Sequence, residues 1–252
     1  MIVLDAYTMR ARVYPALIGM TPVIALSAVL VPWHQIGWGY AGVAVGVGVL
    51  FCAFADLSRR LGKAVERELF PDTNGRPYMT LLRHSDTEYD AKTKDRYRNM
   101  LAERLGEAAP TQSEEEEDPK AAAAFYERCG AWLRERTRDA AKYKVLKEEN
   151  ITYGFRRNLY GLKWLVLFLN LGVALTCGWL MWRGSHAPLV YIVLGVSLAH
   201  AAYFVFVVTW ASVVEASAQY GRQLMLTCEH FIDGPKVSRT EKPKKEATRA
   251  KK

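Results

Sequence analysis

The chain has 252 residues, with 34 Lys and Arg against 26 Asp and Glu, a formal net charge of +8 and four cysteines. Half of the residues are hydrophobic and 24% are charged, an average that looks soluble, but the apolar residues gather in two blocks with the charges between them. That segregation argues against an ordinary soluble globule. Four scattered cysteines with no C-x-x-C pair argue against a zinc ribbon or a disulfide framework, and a positive charge carried mostly by flanks and tail is weak ground for nucleic-acid binding.

In chain order, residues 1–12 form a short N-terminal segment carrying Arg10 and Arg12. The first block, residues 13–57, holds two uncharged stretches, Val13–Val31 and Trp38–Ala55. Each matches the ~20 apolar residues needed to cross ~30 Å of hydrocarbon. No convincing small-x-small cleavage site follows the first, so it is read as a retained helix rather than a signal peptide. Pro15 and Pro22 lie inside it, and each removes a backbone donor that neighbouring helices must replace. In the second stretch, Gly42 and Gly46 form a G-x-x-x-G, read either as packing on its own hairpin partner or as a contact between subunits.

Residues 58–163 read as a helical domain facing the cytoplasm. Arg59–Leu69 extends the second helix, and Pro71–Pro77 is a turn. Ser85 and Glu88 have capping-box spacing ahead of a polar helix over 88–105, with Tyr97, Met100, Leu101 and Leu105 as its buried stripe. Glu107–Pro119, with the run Glu114–Asp118, is a solvated loop. A further helix spans 120–142, and 145–163 leads into the third apolar helix.

The second block, residues 164–214, holds Trp164–Trp182 and Pro188–Val214, a second hairpin. Residues 215–234 continue its last helix past the membrane, and 235–252 form a disordered basic tail. Lys and Arg crowd every segment except the two short turns, Pro32–Gly37 and Arg183–Ala187. By the positive-inside rule, both termini and the central segment face the cytoplasm. The expected fold is therefore an all-α membrane protein with four transmembrane helices in two hairpins and a helical cytoplasmic domain between helices 2 and 3. It is expected to be multi-pass in a bacterial inner membrane, with the lipid bilayer as its first partner.

No nucleophile elbow, H-E-x-x-H, P-loop or kinase set is present, so no catalytic residue, metal or cofactor is expected. Three features remain. Asn170 lies ~9 Å into the third helix, and His200 in the fourth lies ~12 Å from the same side. This places them at similar depth, read as one interhelical hydrogen bond or as a pore-lining or pH-sensing pair. A basic cluster holds Arg134, Arg136, Arg138, Lys142, Lys144, Lys147, Arg156 and Arg157, with Tyr143, Tyr153 and Phe155 interleaved, and Arg134, Arg138, Lys142, Tyr153, Arg156 and Arg157 are its ligand candidates. It fits pairing with nearby acids, contact with anionic lipid, or a nucleotide or oligonucleotide ligand. Gly154 weakens a helix-forming run just before the third span and reads as a gating elbow.

Glu149–Lys163, Leu81–Thr87 and the Pro110–Pro119 segment together resemble a pattern found in four-helix bacterial membrane proteins, one that points to relatives without pointing to an activity. The architecture is similar to membrane effectors of nucleotide-signalling antiphage systems, Hailong channel effectors among them. That resemblance implies a homo-oligomeric pore and a partner nucleotidyltransferase that makes the nucleotide signal. The resulting expectation is a gated ion channel or membrane-disrupting effector. A scaffold recruiting a cytoplasmic protein and a small transporter are the alternatives.

Overall fold

In the computed structural model, residues 6–31, 41–71 and 77–232 are described. Among them the chain is helical, with no strand. A short helix α1 (Ala6–Thr8) passes through a widened π-type segment (Met9–Val13) into α2 (Tyr14–Leu30). Then come α3 (Ala41–Leu69), a single 3₁₀ turn (Pro77–Met79), α4 (Ala91–Leu105), α5 (Gln112–Glu117), α6 (Pro119–Arg136) and α7 (Lys144–Gly161). α8 (Lys163–Trp182), α9 (Pro188–Phe206), α10 (Trp210–Leu226) and α11 (Cys228–Ile232) complete the order.

Three helical stretches are long and apolar enough to cross a membrane: Met9–Leu30, Lys163–Trp182 and Pro188–Phe206. The fourth expected span begins at Trp38, and residues 38–40 lie outside the described residues, as do the turn at 32–37, residues 72–76 of the next turn and the basic tail. α3 does run on to Leu69 as one helix. Within its apolar half, Phe54 packs beside Ile18 of α2, but the turn before it is left uncovered by the described residues. Val45, Val47, Val49 and Leu50 are exposed, and nothing lies within 4 Å of where a β-carbon on Gly46 would sit. Among the described residues, nothing packs on Gly46.

Several expected boundaries move, each for a local reason. α4 starts at Ala91 because the Asp90 carboxylate accepts the Thr93 N–H at 3.0 Å; Ser85 and Glu88 do not cap it. The acidic run is not a plain loop. Thr111 and Glu114 form a capping box that starts α5, and Asp118 then caps α6. α6 stops at Arg136, short of the expected 142. The last apolar helix ends at Phe206 rather than continuing past 214. Thr209 is extended there, and its Oγ1 accepts the Ser212 N–H to start α10.

The apolar core has three parts along the molecule. Val173, Cys177, Val190 and Val193 pack between α8 and α9. Leu159, Leu162, Val166, Phe204 and Val208 fill the level where the spans meet the polar helices. The largest part joins Tyr97, Leu101, Phe125, Tyr126 and Leu133 to Val213, Tyr220, Leu224 and Met225. α10, which carries the first part of the expected 215–234 extension, supplies one wall of the polar domain's core.

Candidate functional site

The polar domain meets the spans along α7. α3 and α7 approach so closely that their backbones touch. A β-carbon on Gly161 would sit 2.5 Å from Gly62 N, and one on Gly62 would overlap the Asn158 side chain. Real β-carbons do not come this near another backbone, so only glycine fits at both positions. Beside this contact Glu66 is wedged between two groups of α7. Tyr153 donates its hydroxyl to Glu66 Oε1 at 2.7 Å, and Arg157 Nη1 donates to Oε2 at 2.9 Å. The ion pair is largely buried, with side chains 10% and 20% exposed. Asn158 Nδ2 donates to Ala11 O at 2.7 Å. Ala11 is the residue four before Pro15, whose ring nitrogen has no proton to offer that carbonyl.

The same repair recurs in the spans. Pro22 removes the helical donor to Ile18 O, and His200 Nε2 lies 2.9 Å from that oxygen. Asn170 Nδ2 donates to Val166 O at 2.9 Å and is 3.0 Å from His200 Nδ1, while Ser197 Oγ donates to Asn170 Oδ1 at 3.0 Å. Both amide protons of Asn170 are then used. His200 Nδ1 must accept, so Nε2 carries the proton given to Ile18 O. This is the neutral imidazole with both nitrogens satisfied. Asn170 is 3% exposed, and interhelical bonding together with proline repair accounts for the contacts the pair makes within its own chain.

Gly154, the expected elbow, lies inside a continuous helix. α7 runs through it unbroken, and a β-carbon there would meet Ala11 Cβ at 3.1 Å and the Tyr7 hydroxyl at 3.4 Å. It is small because the N-terminal segment packs across it. The change of helix falls later, at Leu162, between α7 and α8.

The six ligand candidates separate. Arg134 and Arg138 line a cavity of about 200 Å³ together with Thr137, Lys147, Asn150 and Tyr220. Its wall carries three cations and no acid. Arg138 pairs with Glu135, at 76% and 59% exposure, and such pairs are weak in water. The Arg134 guanidinium lies over the Tyr78 ring, 5.3 Å from its centre, and Lys147 Nζ lies 5.1 Å from the Tyr7 ring centre. Tyr153 sits behind the wall, its ring parallel to Tyr220 at 6.2 Å. Burial pushes the Tyr220 hydroxyl up to about 12, although Arg134 draws it down, so at neutral pH it is an uncharged donor. Lys142, Arg156 and Arg157 lie elsewhere. Lys142 Nζ is over Tyr143, Arg156 reaches Ser212 O and Glu215, and Arg157 belongs to the Glu66 pair.

Sequence reasoning missed Asn150, Tyr220 and Glu66, while Lys147 already stood in the basic cluster. Lys147 and Asn150 sit three apart, on one face of α7, a signal readable from the periodicity. Tyr220 and Glu66 carried no such signal, because their partners are far along the chain. Among the described residues, no group of three or more His, Cys, Asp or Glu is placed to hold a metal ion. Compared with known proteins, the chain matches no family model, no curated protein and no solved structure.

Proposed function

We propose that this protein is a membrane effector in which an anionic, phosphate-bearing signal taken up by the polar domain opens a path for ions or disrupts the bilayer. The observation that carries this reading is the cavity lined by Arg134, Arg138 and Lys147 with no carboxylate among its walls. A phosphate there would meet opposite charge together with neutral donors from Thr137, Asn150 and Tyr220.

The cavity's walls also reach the spans. Tyr220 stacks on Tyr153, which holds Glu66 of α3. Lys147 faces Tyr7, at the start of the segment that becomes α2. Its own helix, α7, leads into α8. A ligand drawing the cations together would act on three membrane-directed helices at once.

On this reading α3 is the fourth span, both termini and the polar domain face the cytoplasm of a bacterial inner membrane, and the pore lies between copies. A single four-helix subunit is too narrow to enclose one. The signal is an oligonucleotide made by a partner nucleotidyltransferase, as in nucleotide-signalling antiphage defence.

Ion flux from liposomes carrying the full chain tests this, with a short 5′-phosphorylated oligodeoxyadenylate as the probe. Flux should rise with the probe and stay at baseline in an Arg134→Ala, Lys147→Ala double variant that keeps its helical content. Tight binding without flux would favour the scaffold instead. Neither binding nor flux would overturn the proposal.

A further inference from the structure

A second cavity, of about 250 Å³, opens where the polar helices meet the spans. Its walls are Phe155 and Leu159 of α7, Tyr203 of α9, and Val207 and Val208 from the break that precedes α10. Arg156 closes one edge. Two tryptophans mark this level as the membrane–water boundary. Trp164, at the start of α8, is 78% exposed, and Trp210, at the start of α10, is 58% exposed; neither has a protein reason to be bare. Phe206 and Val207, at the end of α9, are exposed beside them. An apolar slot with a cation at its rim, at this depth, has the chemistry of a phospholipid site: acyl chain on the walls, phosphate on the arginine.

The rim also selects a head group. Arg156 Nη1 donates to Glu215 Oε2 at 3.0 Å and to Ser212 O at 3.2 Å. The nearby Lys163 is already committed, its Nζ donating to Val205 O and Val208 O at the frayed end of α9. A purely anionic head group would take Arg156 from Glu215 and leave that carboxylate facing negative charge. A phosphoethanolamine supplies both partners, phosphate to Arg156 and a hydrogen-bonding ammonium to Glu215. A choline head group has no N–H to give. We propose that this slot binds phosphatidylethanolamine. The proposal rests on the spans crossing a bilayer and not on the ligand cavity at Arg134.

Native mass spectrometry of the full chain tests it, using protein released from phosphatidylcholine nanodiscs doped equally with phosphatidylethanolamine and phosphatidylglycerol. Phosphatidylethanolamine should be retained several-fold over either competitor. Glu215→Gln, a change at a mostly exposed side chain, should reduce it to the level of phosphatidylcholine. Arg156→Ala should lower retention of all three. A preference for phosphatidylglycerol, an unchanged lipid profile in Glu215→Gln, or no retained phospholipid in the unaltered protein would each overturn the assignment.

Discussion

Arg157 and Arg134 look alike in the sequence: each lies in a basic stretch with an aromatic residue nearby. The fold puts them to opposite uses. Arg157 is driven into the α3–α7 contact, where one carboxylate answers it at 2.9 Å and Tyr153 holds the other oxygen of that carboxylate. Arg134 lies on a cavity wall with two further cations and no acid. In the first region a buried carboxylate fixes the charge; in the second three cations are gathered on the wall of a space large enough for a small anion. The lesson is that a basic cluster is defined by where its counter-charges sit, which cannot be counted from neighbours in sequence.

Removing the counter-charge at the first region should have the largest effect. Glu66→Ala leaves Arg157 buried without its partner and frees the Tyr153 hydroxyl. Breaking a buried pair from one side typically destabilises by about 3–5 kcal/mol. Denaturation of the detergent-solubilised protein should show a loss of that order, and Glu66→Gln should recover part of it through the Tyr153 bond. A change under about 1 kcal/mol would mean that the pair is far wetter than its geometry implies.

Alkaline pH attacks the tyrosines that link the two regions. Burial pushes the Tyr220 hydroxyl up to about 12, and burial together with Glu66 raises Tyr153 as well. A raised tyrosine pKa favours the neutral form in the fold. This stabilisation is complete below the ordinary value of about 10 and is lost as pH climbs through 12. At about 1.4 kcal/mol per pKa unit, Tyr220 alone accounts for a loss of roughly 2–3 kcal/mol by the top of that range. Unfolding followed from pH 9 to 12 should show the decline, and Tyr220→Phe should flatten it.

Closer to the backbone, Gly161→Ala forces a methyl group against Gly62 N, at a separation no packed structure tolerates. The helices must part, for an overpacking loss of about 1–3 kcal/mol. Gly46→Ala, facing open space, should change the stability of the isolated chain far less. If the two substitutions behave alike, Gly46 is packed against something in the assembled protein, and a subunit contact becomes the explanation.

These contrasts also show what could be read from the residues alone. Three apolar stretches were legible because hydrocarbon thickness sets their length, and no soluble fold needs so many uncharged residues in a row. The meeting of Asn170 with His200 was legible from helix rise alone, since two antiparallel helices brought them to one depth. The break at Thr209 was hard to see: Val207-Val208-Thr209-Trp210 holds no glycine or proline, and the only signal was a threonine at cap spacing from Ser212. At Gly154 the sequence is ambiguous: a glycine in a helix reads as weakness, whereas close approach by another segment, here Ala11, requires it equally well. Glu66 and Arg157, 91 residues apart, could not be paired without knowing that α3 and α7 touch. The cavity was half visible: Arg134 lies in the last turn of α6 and Arg138 just past its end, but the Tyr220 wall arrives from α10, across a connection that carries two spans.

The smallest change in stability belongs to the cavity, and it sharpens the comparison most. Arg138 is 76% exposed and its partner Glu135 is 59% exposed, so Arg138→Ala should shift unfolding by no more than about 0.5 kcal/mol. Its effect should appear in binding instead. With one of three cations gone, affinity for the oligodeoxyadenylate probe should fall several-fold at low salt. The difference from the unaltered protein should narrow as salt is raised, because screening removes the same electrostatic attraction in both. Glu135→Gln should move affinity the opposite way, by relieving the only carboxylate paired to that rim cation. Were Arg138→Ala to cost stability and leave binding untouched, Arg138 would be a structural residue like Arg157, and the distinction between the two regions would be lost.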